Sequence, residues 1–227
     1  PAVMSSYILM DGKTGQPQAF IDGARLTLWR TSCASALAAR YLAPADPETL
    51  LVLGAGELAP FLARAHASTR PYKRVVVWNR SHDKAAKMAE TLKADGFDAS
   101  ATEDLDGAVS QADTITAATL SSEPLIKGDL VKPGAHIDLV GAFTPKMRES
   151  DDACIRRASV FVDTHEGATK EGGDIAQPLA DGVMTRDDIR ADLLALCTGA
   201  REGRISPDEI TLFKSTGAAL EDLAAAI

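Results

Sequence analysis

The stretch TLLVLGAGELAPFLARAHAS, residues 49–68, limits the possible folds more than any other. Leu50 to Leu53 is an apolar run with no polar face. A strand of that kind must be covered on both sides, which is the condition of a parallel sheet between helices. Two glycines follow, Gly54 and Gly56, and then an Ala- and Leu-rich helical pattern. RVVVWNRS (74–81) is a second such strand, at the distance a strand–helix–strand unit requires.

The alternation continues. ARLTLWRTSCASALAARYLA (24–43) reads as a helix, and PADPE (44–48) as a linker. HDKAAKMAETLKADG (82–96) is a helix ending on glycine. DASAT is a weak third strand and DLDGAVSQ a short helix. DTITAATL, GAHIDLVGAF and SVFVDT are the fourth, fifth and sixth strands. The expected class is α/β, a Rossmann-like doubly wound parallel sheet. Both ends differ. Residues 1–23 read as two strands joined by a Gly-rich turn, a hairpin with nothing upstream to pair with, so part of a domain is expected to be absent. Residues 201–227 carry a capping signal at Ser206-Pro207, a short β-like stretch ITLFKS and a helix from about Gly217.

Composition excludes several classes. The net charge is -8 and basic residues form no long run, so a nucleic-acid partner is not expected. No apolar run reaches the ~18 residues of a membrane helix. Cys33, Cys154 and Cys197 are far apart, as in a reduced, cytoplasmic protein. His66, His82, His136 and His165 have no metal-ligand spacing, so no metal is expected.

LLVLGAGELA fits G-x-G-x-x-A at Gly54, Gly56 and Ala59. Gly54 permits the tight turn, Gly56 lets backbone approach a pyrophosphate at the helix N-terminus, and Ala59 lets helix lie on strand. Gly54, Ala55, Gly56, Glu57 and Leu58 are therefore the expected cofactor loop. At the end of the second strand a carboxylate would bind an NAD ribose; here stand Asn79, Arg80 and Ser81. Arg and Ser suit a 2'-phosphate, which favours NADP(H) over NAD(H), although an arginine here is also commonly just solvated. Ala118, Thr119 and Leu120 end the fourth strand, under the expected ribose and nicotinamide, where Thr119 either touches the cofactor or only terminates the strand.

LTLWRTSCASALAARYLA, LGAGELA, VWNRS, TAATLSSEPLI, LVGAFTPKMRESD and ITLFKSTGAALEDLAAA occur in this order over nearly the whole chain. Together they resemble the ornithine cyclodeaminase/mu-crystallin family. The resemblance implies a homodimer of two-domain subunits. Residues 1–44 and 201–227 would be parts of a substrate and dimerisation domain, and residues 45–200 the dinucleotide domain. Family members have further residues upstream, carrying a substrate-binding arginine and a catalytic lysine. Arg30 and Thr31 match the motif whose arginine contacts substrate carboxylate and cofactor phosphates. On the residues alone, Arg30 on an Ala-rich helix reads first as a structural ion-pair partner; the resemblance reverses that order. Val140 and Gly141, and Lys214 and Ser215 on the returning strand, are expected at the cofactor. HEGATKEGGDI (165–175) corresponds to a loop lining the same cleft, with Glu171 and Asp174, either of which could instead be helix-end solvation.

Cyclodeaminases carry a G-x-D-x-P-G-K-x-E type loop, and Phe143 falls where the aspartate stands. Phenylalanine can neither take a proton nor hold an ammonium. GAFTPKMRE resembles instead the family's imine reductases, which reduce Δ1-pyrroline-2-carboxylate or Δ1-piperideine-2-carboxylate to L-proline or L-pipecolate. The expected catalytic set is Arg30, Phe143 as an apolar wall or merely a loop anchor, and Thr144 as a weaker hydrogen-bonding candidate. Lys146 and Arg148 read equally as solvated or functional. The alternatives are an ornithine cyclodeaminase with altered residues, an amino-acid dehydrogenase, or a non-catalytic binder like mu-crystallin.

Overall fold

The computed structural model describes residues 4–227; Pro1 to Val3, where the hairpin reading begins, lie outside the described residues. β1 (Ser6–Met10) and β2 (Pro17–Asp22) pair antiparallel, with Ile8 opposite Phe20. The turn between them is held by Asp11, whose carboxylate accepts from the N–H groups of Lys13 and Thr14. Asp22 ends β2 and caps α1 (Gly23–Leu42), accepting from the N–H groups of Ala24 and Arg25.

After the linker come β3 (Thr49–Leu53), α2 (Ala59–Thr69), β4 (Arg74–Trp78), α3 (His82–Ala94), β5 (Ala99–Thr102), α4 (Leu105–Gln111) and β6 (Thr114–Ala117). The second half holds β7 (His136–Leu139), α5 (Asp152–Arg157), β8 (Ser159–Val162), α6 (His165–Lys170), α7 (Gly173–Ala180), β9 (Ile189–Asp192) and α8 (Leu193–Cys197). β10 (Thr211–Lys214) and α9 (Ala219–Ala226) close the chain.

Eight strands form one parallel sheet in the order β5-β4-β3-β6-β7-β10-β8-β9. The order reverses between β3 and β6, so this is the doubly wound α/β sheet expected from the strand pattern, with its crevice outside those strand ends. Leu51, Leu53, Ile115, Ile137 and Val160 pack on one face with residues of α4, α5 and α7. On the other face Leu50, Val52, Val75 and Val77 meet α2 and α3. Phe161 and Phe213 meet α1 and α8 on that side.

Three features depart from the sequence reading. β9 was not anticipated, because Ile189, Arg190, Ala191 and Asp192 give an edge strand with only two buried positions. The segment 165–175, expected as a loop, contains all of α6 and the start of α7. β10, assigned with residues 201–227 to the second domain, lies inside the sheet between β7 and β8. Leu212 and Phe213 both have no exposed surface, and a strand apolar on both faces is covered only in a sheet interior.

β7 carries a buried carboxylate, Asp138. It accepts from Ser35 Oγ of α1 at 2.9 Å and Thr116 Oγ1 of β6 at 2.6 Å, and lies 3.0 Å from His66 Nε2 of α2. Burial alone would raise this carboxyl, but the His66 hydrogen bond and charge, with the Thr116 hydroxyl, outweigh it and hold the carboxyl below its usual value. The stability it contributes is present above the ordinary carboxylate range and is lost as pH falls through the lowered value. Asp138→Ala leaves three buried partners unmatched and is expected to cost about 3–5 kcal/mol. Urea unfolding checks this; a loss below about 1 kcal/mol, within the scatter of ordinary substitutions, would contradict the network's role.

Candidate active site

A cavity of about 600 Å³ opens at the C-terminal ends of β3, β6 and β7, under the first half of α1. The crossover at β3 and β6 dictates this place, because the loops after them leave in opposite directions.

The glycine loop forms one wall. Gly54 has φ +105°, and a Cβ there would stand 2.7 Å from the Ala118 carbonyl, so the turn admits only glycine. Its N–H donates to the Trp78 carbonyl, tying the loop to the end of β4. A Cβ on Gly56 would meet nothing within 4 Å, so this stretch of backbone is open to a ligand. Among the described residues no side chain caps α2; Ala59 and Phe61 N–H donate to the Gly56 and Leu58 carbonyls and Pro60 has no N–H, so what an anion would meet here is the open backbone of Gly56 to Leu58 and the positive end of the helix. Gly56, Glu57 and Leu58 line the cavity; Gly54 and Ala55 support it from behind. These features fit a dinucleotide diphosphate.

α1 supplies the opposite wall. Thr27, Leu28, Arg30 and Thr31 line the cavity from one side of the helix. Arg30 Nη1 donates to Glu221 at 3.2 Å, and Nε lies 3.1 Å from Asp222 Oδ1 without hydrogen-bond alignment. Nη2 makes no hydrogen bond among the described residues. Arg30 is thus both the structural ion-pair partner and the cavity-facing cation that its position suggested. Gly217, at φ +94°, makes room for it: a Cβ there would be 2.3 Å from Nη1. Burial and Asp163 raise the Glu221 carboxyl, against the pull of Arg30.

The floor comes from strand ends. Ala118, Thr119, Val140, Gly141 and Ser215 line it, and Phe143, 42% exposed, stands at its edge. Ala142, just before Phe143, has φ +48°, a left-handed conformation that costs a non-glycine residue energy and here turns the chain at the cavity's rim. Glu57 and Glu171, the acids that line the cavity, are both exposed.

Some expected residues lie elsewhere. Lys214, expected at the cofactor, is buried. Its Nζ donates to the Gly141 carbonyl and lies 3.4 Å from Asp174 Oδ2, so the Asp174 charge holds it one layer behind the floor. Asp174, expected to line the cleft or be solvated, is fully buried there too. Thr144 does not line the cavity; its carbonyl accepts from Met147 N–H in a turn beyond Phe143. Asn79, Arg80 and Ser81 lie beyond the cavity at the end of β4, with Arg80 exposed. The reading missed Ala24, Thr27, Leu28 and Thr216. For Thr27 a signal existed: its helical spacing to Arg30 and Thr31 puts all three on one side of α1.

The profile of the "Ornithine cyclodeaminase/mu-crystallin family" matches residues 1–227. Delta(1)-pyrroline-2-carboxylate reductase of Paracoccus denitrificans is 39% identical over 98% of this chain and 71% of its own length. The structure of Thermococcus litoralis Delta(1)-pyrroline-2-carboxylate reductase in complex with NADH and L-proline superposes with TM-score 0.96 at 35% identity, covering 100% of this chain and 70% of that one. An archaeal alanine dehydrogenase dimer with bound NAD gives TM-score 0.94 at 32% identity, again over 100% and 70%. The phenylalanine loop, the glycine turn and the arginine of α1 thus sit in one cavity of a chain that belongs to the ornithine cyclodeaminase/mu-crystallin family.

Proposed function

We propose that the chain is a nicotinamide-dependent ketimine reductase that converts small cyclic imino acids, Δ1-pyrroline-2-carboxylate or Δ1-piperideine-2-carboxylate, to L-proline or L-pipecolate. One observation carries the reading: the cavity presents a guanidinium, Arg30, and an apolar ring, Phe143, and the acids lining it are solvent-exposed. That surface suits a flat ring bearing one carboxylate better than a diamino acid, whose second ammonium needs a buried acid. Likeness to the reductases of Paracoccus and Thermococcus supports it.

The loop Gly56–Leu58, at the positive end of α2, would hold the diphosphate, and Thr119, Val140 and Gly141 the nicotinamide end. When bound, the cofactor supplies the hydride that the imine carbon accepts. Arg30 clamps the substrate carboxylate, with Glu221 and Asp222 fixing the guanidinium so that little side-chain entropy is lost on binding. Phe143 walls off water and limits where the ring can lie, which holds the carbon in reach. A protonated imine brings its own proton, so no acid is needed on the loop.

The cofactor is read as NADP(H) in preference to NAD(H). No acid stands at the end of β4, Asn79 Nδ2 donates to the Ser81 carbonyl, and no side chain caps α3, beside which Arg80 is exposed. The NADH- and NAD-bound relatives leave this preference to be measured. A cytoplasmic homodimer is the assembly that fits; the archaeal dimer supports it, and among the described residues no helix is long and apolar enough to cross a membrane. Reductive amination of a 2-oxo acid is the second reading, favoured by the alanine dehydrogenase likeness.

With NADPH and Δ1-pyrroline-2-carboxylate, reduced-nicotinamide absorbance is expected to decay with equimolar L-proline. Turnover of ornithine to proline and ammonia without net cofactor consumption would overturn the reading. Arg30→Met should raise KM for the imine at least about tenfold, the value of a charge-assisted hydrogen bond. An unchanged KM would remove Arg30 from substrate binding. Arg80→Gln should raise KM for NADPH about tenfold and leave NADH unaffected; equal effects on both would refute a 2'-phosphate contact.

A further inference from the structure

Behind the cavity floor lies a second layer of ionisable groups that the reaction as described does not use. Glu149, Asp174 and Lys214 have no exposed surface. Glu149 Oε1 accepts from Thr119 N–H at 2.6 Å and from Thr119 Oγ1 at 2.7 Å. It also lies directly under Gly141, where a Cβ would stand 2.3 Å from it. Lys214 donates to the carbonyl of the same Gly141. Asp174 Oδ1 accepts from Glu149 N–H, Ser150 N–H and Ser150 Oγ at 2.8, 2.9 and 3.1 Å, fixing the backbone that carries Glu149. Thr119 and Gly141 line the cavity. One residue's thickness therefore separates the Glu149 carboxyl from whatever lies on the floor.

The charge count is uneven. Two carboxylates face one lysine, and Glu149 Oε2 is buried with no hydrogen-bond partner among the described residues. Burial, then the Asp174 charge, push the Glu149 carboxyl up to about 7, against Lys214 and the Thr119 hydrogen bonds. Asp174 faces it from α7 and Lys214 from β10. Arg148, next in the chain, is turned away to the Ser150 carbonyl and Asp152.

We propose that Glu149 is a positioning residue for the nicotinamide end of the cofactor. It fixes the Thr119–Gly141 floor, and its ionisation favours the oxidised, positively charged ring over the reduced, neutral one. The proposal rests on the nicotinamide reading of the cavity. The sign follows from Coulomb's law: a carboxylate beneath the floor attracts the cationic ring and is indifferent to the neutral one, and a water-excluded site weakens this little. Raising pH through about 7 ionises Glu149 and should therefore tighten the oxidised form relative to the reduced. Reciprocally, binding the oxidised form should release a proton.

The test is the dissociation constants of NADP+ and NADPH, by calorimetry, between pH 5.5 and 8.5 or so, spanning the Glu149 titration. In the wild type the ratio Kd(NADPH)/Kd(NADP+) should rise on the order of tenfold across that range. In Glu149→Gln, which keeps an oxygen acceptor for Thr119 but cannot ionise, it should stay flat. Glu221, on α9 beside Arg30, is the same in both proteins, so the comparison isolates Glu149. Equal pH profiles in the two proteins would overturn the proposal. Failure of the wild type to bind either cofactor form at any pH would overturn the nicotinamide reading instead. If Glu149→Gln does not fold, the wild type still decides. NADP+ binding near pH 7 in buffers of different ionisation enthalpy should show proton release, and no buffer dependence would overturn the proposal.

Discussion

Asp138 stands on the strand that leads to the cavity floor and gathers one partner each from α1, α2 and β6. A carboxylate taken wholly out of water is tolerable only when its hydrogen bonds are met, and these three partners meet them. The consequence is geometric. α1 brings Arg30 to the cavity and α2 brings the uncapped helix end, and both are referenced to the same atom group on β7. The wall with the guanidinium and the wall for the diphosphate cannot drift independently. His136, two residues earlier, is also fully buried; burial pushes its imidazole down to about 3, so it stays neutral against Thr211 and adds no competing charge.

The site is built in two layers. The inner surface is largely uncharged apart from Arg30 and the exposed Glu57 and Glu171, and it is shaped by backbone and small side chains. Behind it sit Glu149, Asp174 and Lys214, which hold Thr119 and Gly141 from below. This division lets backbone positions serve as the contact surface while side chains one residue deeper set their height and potential. Asp163 plays a similar part at the far end, its carboxylate accepting from the N–H groups of Thr216 and Gly217 where the chain turns toward Arg30.

Much of the fold was legible because it rests on local pattern. Leu50 to Leu53 and Val75 to Val77 have no polar face, and Gly54 carries the positive φ that its place after the strand implied. The cavity residues read from that pattern, Gly56 to Leu58, Thr119 and Gly141, do come together. What escaped the reading depends on distant partners. β10 reads like any short apolar strand, and its insertion between β7 and β8 is set by which sheet gap remains. Lys214, on the returning strand, was expected to reach the cofactor. Only Asp174, 40 positions earlier, explains why it points inward. Glu149 reads as one acid in the charged run KMRESDD, and nothing local marks it as buried.

The most direct measurement is a crystal structure of the protein with NADP+ and L-proline. The account predicts the diphosphate against Gly56 to Leu58 at the start of α2 and the nicotinamide against Thr119 and Gly141. The proline carboxylate should meet Arg30, with its ring beside Phe143. A diphosphate bound elsewhere, or a proline that leaves Arg30 engaged only by Glu221 and Asp222, would contradict it.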